Sequence, residues 1–228
     1  TLKQRLASPS DVIDLGSIAD LGGITVDGDT VTIGAMTCHA DVAASAEVKK
    51  AIPALAHLAS LIGDPQVRNR GTIGGSIANN DPAADYPGAL VGLGATVHTT
   101  TKTVSADEFF TGMFETALDE GELVTKVSFP IPESAAYQKF PNPASRYAVV
   151  GAFVAKTKDG IRVAITGAGP TVFRVPEMEL ALTASFTPEA IADNTVPADN
   201  LNGDLHATAE YRAHLIGVMA KRAVADCA

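Results

Sequence analysis

The sequence predicts an α+β fold, in which strands and helices form separate runs instead of alternating. Within residues 135–228 two strand-like segments come first and helical segments come last, an order that differs from the alternation of a doubly wound parallel sheet. Of the 228 residues, 46% are hydrophobic and 19% are charged, which is a globular composition with ample material for a buried core. Length alone allows one or two domains, and Pro130 and Pro132 favour a boundary near residue 134.

The first third of the chain predicts a hairpin followed by helices and a loop. Residues 11–35 contain short apolar runs separated by Gly-Gly and Asp-Gly-Asp turns, which indicates a β-hairpin. Residues 38–63 have apolar positions at three- and four-residue spacings, so two helices are expected, the second beginning at Pro53. Residues 64–90 contain three prolines and four glycines without either period, and we predict a long, polar, glycine-rich loop there.

The remaining elements complete the α+β pattern. Residues 94–110 predict two short strands around a turn and then a helix start, and residues 121–132 predict another strand. Lys158-Asp159-Gly160 is a strong hairpin signal between two further strands. Helices are expected at 178–182, at 187–193 and at 209–224, the last of these near the end of the chain.

Charge and cysteine content exclude several functional classes. There are 17 Lys and Arg against 26 Asp and Glu, a formal charge of −9, which argues against nucleic acid as a partner. Cys38 and Cys227 are far apart and show no metal-ligand spacing with histidines, so no metal site is predicted. No stretch approaches the roughly 20 apolar residues of a membrane span. We therefore expect a cytoplasmic protein with no membrane span.

The glycine-rich segment 68–87, RNRGTIGGSIANNDPAADYP, is the strongest candidate for a binding site. Its glycines allow close approach of the backbone, and we expect consecutive N–H groups freed in this loop to form a concavity for an anion. Its hydroxyl, amide and carboxylate groups suit a phosphate plus sugar ligand. The segment has neither GxGxxG nor a GK[ST] ending, which excludes the Rossmann and P-loop fingerprints. The structural alternative is a simple turn between strands.

This segment resembles the second flavin-binding motif of the FAD subunit, or medium chain, of molybdenum hydroxylases of the xanthine dehydrogenase and carbon monoxide dehydrogenase type. Other stretches agree in order along nearly the whole chain, namely KQRLASPSDVIDLGSIADL, VTIGAMTCHADV, GELVTKVSFPIP, YQKFPNPASRYAVVGAFVA and AEYRAHLIGVMAKRA. The resemblance implies a vanillyl-alcohol oxidase (PCMH-type) FAD-binding domain over residues 1–134, present as its second subdomain. It also implies a C-terminal α+β domain, like that of the carbon monoxide dehydrogenase flavoprotein, over residues 135–228.

The same resemblance implies cofactor-binding residues and no catalytic residue in this chain. The implied set is Thr72, Ile73, Gly74, Gly75 and Ser76 at the FAD pyrophosphate, Asp85 with Asn79 at the sugar or ribityl hydroxyls, Val124 beside the flavin ring and Lys139 near the flavin edge. Many relatives have Asn where Ser76 stands, so an amide contact is replaced by a hydroxyl. The pairs Arg68/Arg70 and Arg146/Tyr147 are open between structural and flavin-site roles, and we expect His39 to be structural.

The implied function is that of an electron-transfer oxidoreductase subunit. In the family, electrons from a molybdopterin-binding large subunit pass through [2Fe–2S] clusters of a small subunit to FAD, and from there to NAD, oxygen or a quinone. The family also has an upstream AGGxS loop, and this chain begins after that point, so we expect the FAD-binding domain here to be incomplete. The alternatives are a flavin-free module that only docks on the other subunits, and a reductase related to the UDP-sugar enoyl reductases.

Overall fold

The computed structural model describes Leu6 and residues 8–227, so the predicted first domain begins on residues outside this description. The strands, in chain order, are β1 (Ile24–Asp27), β2 (Thr30–Gly34), β3 (Thr96–Thr99), β4 (Thr103–Ser105), β5 (Phe110–Gly112), β6 (Glu115–Thr116), β7 (Val124–Pro130), β8 (Ser134–Pro141), β9 (Ala148–Thr157), β10 (Gly160–Thr166) and β11 (Phe173–Arg174). The helices are α1 (His39–Ala44), α2 (Ala46–Ala51), α3 (Pro53–Ser60), α4 (Pro65–Arg68), α5 (Ile73–Asn79), α6 (Tyr86–Leu93), α7 (Ala106–Phe109), α8 (Pro176–Ala184) and α9 (Ala209–Asp226).

The first sheet has five antiparallel strands in the order β1-β2-β7-β3-β4. Val31 pairs with Phe129, and Ile33 and Val97 both pair with Val127. Directly paired side chains lie on the same face of a sheet, so these apolar groups form one surface. All five are fully buried in the first hydrophobic core.

The second sheet has the antiparallel order β11-β10-β9-β8. Its central strand β9 is apolar at consecutive positions because both of its faces are covered. Phe153 and Ala155 point into the first core, whereas Val150 and Val154 point into a second core beneath α9. The second sheet is therefore the layer that separates the two cores, and strands precede helices in this half, as predicted.

The close approach of α6 to this sheet depends on a missing side chain. A Cβ added at Gly92 would lie 2.6 Å from the Phe153 ring. We therefore expect Gly92→Val to lower the free energy of unfolding by about 1–3 kcal/mol, the usual cost of overpacking a core, in urea unfolding of the purified protein. Gly22→Val is the matched control, because Gly22 is exposed and extended and its added Cβ would meet nothing closer than 3.8 Å. Equal losses in the two variants would contradict the packing argument.

Several predicted elements are confirmed, but the prediction of a long loop over residues 64–90 was wrong. The first hairpin, the helix that begins at Pro53, the turn before Gly160 and the terminal helix are all present. Residues 64–90, in contrast, contain α4, α5 and the start of α6. Every residue of α6 is buried, so this helix has no polar face and hence no helical period to detect.

Among the described residues, none of the helices combines the length and apolar character needed to cross a bilayer.

Candidate functional site

A cavity of about 530 Å³ opens between the start of α5, the start of α6 and the loop after β8. This volume lies within the roughly 300–1,000 Å³ typical of small-molecule sites. Its lining residues include His39, Arg70, Gly71, Thr72, Gly75, Ser76, Asn79, Asp81, Asp85, Arg146 and Tyr147. The glycine-rich segment and the start of α6 therefore form one side of a cavity whose other side comes from the second half of the chain.

The segment TIGG forms the first turn of α5 and is not a loop with free amides. The Thr72 hydroxyl caps the helix by accepting from the Gly75 N–H at 3.1 Å. The Ile73 and Gly74 N–H groups donate to the carbonyls of Thr37 and Ala35. The prediction of an anion concavity made of freed N–H groups was thus wrong in this form, because the cap and the segment before α1 already satisfy these donors. Hydroxyl hydrogens are what this turn offers to a ligand.

The predicted cofactor residues divide into those at the cavity and those behind it. Thr72, Gly75, Ser76, Asn79 and Asp85 line the cavity. The other four lie outside its lining, and they are Ile73, Gly74, Val124 and Lys139.

These four residues lie in the core or contact other parts of the protein. Ile73 is fully buried in the first core, and Val124 is buried there as well. A Cβ at Gly74 would lie 2.5 Å from that of Ala35, so this glycine lets α5 pack against the end of β2. Lys139 lies directly behind Asp85. The roles implied for these residues at the cofactor stay predictions.

Asp85 is the most enclosed charged group of the cavity wall, with 4% of its surface exposed. Lys139 Nζ lies 2.9 Å from its Oδ1 and donates to its Oδ2 at 3.0 Å, and the Tyr137 hydroxyl donates to its Oδ1 at 2.5 Å. Burial raises the pKa of the Asp85 carboxyl, while Lys139 and Tyr137 oppose that rise. The wall therefore presents a carboxylate whose orientation is held by two buried donors.

His39, expected to be structural, lies on the cavity wall. Its backbone N–H donates to the Gly71 carbonyl, and its ring packs on that of Tyr86 with centroids 5.3 Å apart. Burial, with a smaller contribution from the nearby Arg68, lowers the pKa of His39 to about 4, so the ring is neutral at pH 7. A Cβ at Gly71 would lie 2.6 Å from His39 Nε2. No sequence signal beyond the polar pair Cys38-His39 indicated this position.

The arginines near the glycine-rich segment have different roles. Arg68 braces the chain by donating to the carbonyls of Ile62 and Gly63 at 2.9 and 3.1 Å. Arg70 and Arg146 line the cavity, and in the described part of the chain neither forms an ion pair within 4 Å. Arg146 has a positive φ of 63°, which is unusual for a residue with a long side chain. Two cations are therefore available to an anionic ligand.

The donor set fits a dinucleotide cofactor such as FAD. Guanidinium groups and hydroxyls suit a diphosphate, and a fixed carboxylate is the acceptor that sugar or ribityl hydroxyls require. Gly75 lines the cavity without a side chain, so a ligand can approach the backbone there. The half-exposed Tyr147 ring adds an aromatic surface at the opposite side.

Comparisons with known proteins match the chain to two domain families. Residues 1–132 match the FAD binding domain in molybdopterin dehydrogenase, and residues 135–227 match the CO dehydrogenase flavoprotein C-terminal domain. The carbon monoxide dehydrogenase medium chain of Hydrogenophaga pseudoflava is 37% identical over 98% of this chain and 83% of its own length. The nicotine 6-hydroxylase medium subunit of Paenarthrobacter nicotinovorans is 35% identical over 99% of this chain and 84% of its own length.

The solved carbon monoxide dehydrogenase of H. pseudoflava superposes with a TM-score of 0.89 at 38% identity, covering 99% of this chain and 86% of that one. These matches confirm both the resemblance and the fold class predicted from the sequence. The chain therefore belongs to the flavoprotein family of the molybdopterin dehydrogenases, with an FAD-binding domain followed by a CO dehydrogenase flavoprotein C-terminal domain.

Proposed function

We propose that this chain is the FAD-binding, electron-transfer subunit of a molybdenum hydroxylase complex and that the cofactor binds in the cavity around Thr72 and Asp85. The observation that carries this proposal is the meeting of Thr72, Gly75, Ser76, Asn79 and Asp85 on one cavity wall. The matched FAD-binding domain and the medium subunits named above support the cofactor. When bound, FAD supplies the redox chemistry through which electrons from a partner's [2Fe–2S] clusters reach an external acceptor.

The residues of this chain bind and orient the cofactor instead of transferring protons. Arg70 and Arg146 would neutralise the diphosphate, and the Thr72 and Ser76 hydroxyls would donate to it. Asp85 would accept hydrogen bonds from the sugar or ribityl hydroxyls. His39, being neutral, adds a polar contact without adding charge. Lys139 would act on cofactor binding only indirectly, by holding the Asp85 carboxylate in place.

The partners are a molybdopterin-binding large subunit and a small subunit that carries the [2Fe–2S] clusters. These centres are assigned to the other subunits because this chain matches an FAD-binding domain and the medium subunits named above. The two cysteines of the chain fit a reducing compartment, and we place the complex in the cytoplasm.

The test is the flavin content of the protein purified with its partner subunits. We expect absorption bands between about 350 and 500 nm that persist through desalting, and release of FAD, not FMN, on denaturation. Dithionite should bleach the bands, and one of oxygen, NAD or a quinone should restore them. A folded complex that contains no flavin and takes up none from added FAD would contradict the proposal.

The flavin-free interaction module is the less favoured function, since the match over residues 1–132 is to an FAD-binding domain. The same measurement separates the two functions. A colourless but correctly assembled complex is the result that the module would give.

A further inference from the structure

Tyr137 has a polar contact that its position in the core does not require. It lies on β8 with 1% of its surface exposed, and its ring packs near that of Phe153 at 6.1 Å between centroids. Alternate residues of a strand point to the same face, so Tyr137 and Lys139 both project toward Asp85. Phenylalanine would serve equally well for packing, but only tyrosine can donate to the carboxylate at 2.5 Å.

The neighbouring strand is built to admit this hydroxyl. Gly151 lies on β9 directly opposite Lys139, and a Cβ at Gly151 would overlap the Tyr137 hydroxyl. A glycine in the middle of a buried strand weakens the strand and commonly marks a close approach. Here it leaves the space through which the hydroxyl reaches Asp85.

Tyr137 and Lys139 bind the Asp85 carboxylate without lining the cavity themselves. Lys139 also donates to the Leu61 carbonyl at 3.1 Å, which fixes its ammonium group in place. Burial raises the pKa of Tyr137 well above 10, so its hydroxyl keeps its proton and remains a donor. A carboxylate accepts about four hydrogen bonds, and those not used by Tyr137 and Lys139 remain for the cavity.

We infer that Tyr137 is a positioning residue for the cofactor: its hydroxyl sets the orientation in which the Asp85 carboxylate meets the cofactor's hydroxyl groups. The inference rests on the proposed function, since it takes Asp85 as a ligand of FAD. It extends that function to a residue that does not line the cavity and that acts only through its neighbour.

The test is a double-mutant cycle of FAD affinity, measured by titrating the deflavinated complete complex. Tyr137→Phe keeps the ring and should raise the Kd for FAD on the order of tenfold, because a carboxylate that is no longer held in orientation weakens the hydrogen bond that Asp85 makes to the cofactor. Asp85→Asn keeps the volume of the carboxyl group and should also raise the Kd. In the Asp85→Asn background, Tyr137→Phe should change the Kd by a smaller factor than in the wild-type background, because the anion that it orients is gone.

Tyr211→Phe is the matched control. Tyr211 is 44% exposed on α9 and contacts Phe140 edge-on, so losing its hydroxyl should leave the Kd unchanged. Gly151→Ala provides a second perturbation, because it displaces the Tyr137 hydroxyl without altering its chemistry, and it should mimic Tyr137→Phe. Circular dichroism of each variant verifies that the fold is retained.

Failure of this inference and failure of the proposed function give different patterns. If Tyr137→Phe raises the Kd by the same factor in both backgrounds, or leaves it unchanged where Asp85→Asn raises it, Tyr137 has only a structural role and the inference is wrong. If wild type does not bind FAD, or Asp85→Asn leaves the Kd unchanged, the assignment of the cavity is at fault. The expected non-additive change in Kd supports both the role of Tyr137 and the assignment of the cavity.

Discussion

Replacing Gly75 by aspartate is expected to raise the Kd for FAD at least about 100-fold in the assembled complex. Gly75 lines the cavity beside the Thr72 hydroxyl, where the diphosphate is proposed to bind. Two like charges about 4 Å apart repel by roughly 4 kcal/mol at the effective dielectric constant of a protein surface, and about 1.4 kcal/mol corresponds to a tenfold change in Kd. The flavin absorption of the purified variant, before and after added FAD, measures the loss.

The added Cβ lies 3.0 Å from Thr72 Oγ1, so the Thr72 hydroxyl must shift by a few tenths of an ångström. The helix should still form. Thr72 is the N-cap of α5 and Gly75 is its third helical residue. An acidic residue at that position favours helix formation, through the helix dipole and the capping arrangement.

Two controls separate charge from volume and from position. Gly75→Asn introduces nearly the same volume without the charge and should lose much less affinity. The exposed His57→Ala on α3 should lose none. If the aspartate and asparagine variants have the same Kd for FAD, the added charge has no effect and the diphosphate does not lie beside Gly75.

The residues of the candidate site that could be predicted from the sequence are those that lie close together along the chain. Thr72, Gly75, Ser76 and Asn79 lie within eight residues on one short helix, and Asp85 follows at the start of the next. Local spacing and a specific motif are sufficient to place such residues together. Residue chemistry did not predict how these donors are used, because the amides assumed to be free are bonded within the protein.

The rest of the site depends on contacts between residues far apart in the sequence. Tyr137 lies 52 positions from Asp85, and its strand looks like any other half-buried strand. His39 reaches the cavity only because Gly71 lacks a side chain. Nor could periodicity identify α6, which is buried on all sides. Tertiary packing decides these positions, and a single sequence contains no local signal for them.

The Asp85–Lys139 pair also predicts a large effect on stability. Lys139 is only 2% exposed and Asp85 only 4%, so Lys139→Met leaves a buried carboxylate with Tyr137 as its remaining side-chain donor. Removing one partner of a buried pair typically costs about 3–5 kcal/mol, and we expect a loss of that size in urea unfolding at pH 7. Lys158→Met is the matched control, because the Lys158–Asp29 pair is exposed, and it should leave stability unchanged.

The loss caused by Lys139→Met should shrink as the pH falls. Burial already raises the pKa of Asp85 above its ordinary value of 3.8, and Lys139 is the main charge that opposes the rise. Without Lys139 the folded-state pKa rises further, so the folded protein binds a proton that the unfolded chain releases. Stability then falls as pH rises from about 4 toward the folded-state pKa, and the difference between variant and wild type should be larger at pH 7 than at pH 5. A difference independent of pH would show that the loss comes from packing of the side chain and not from an uncompensated carboxylate.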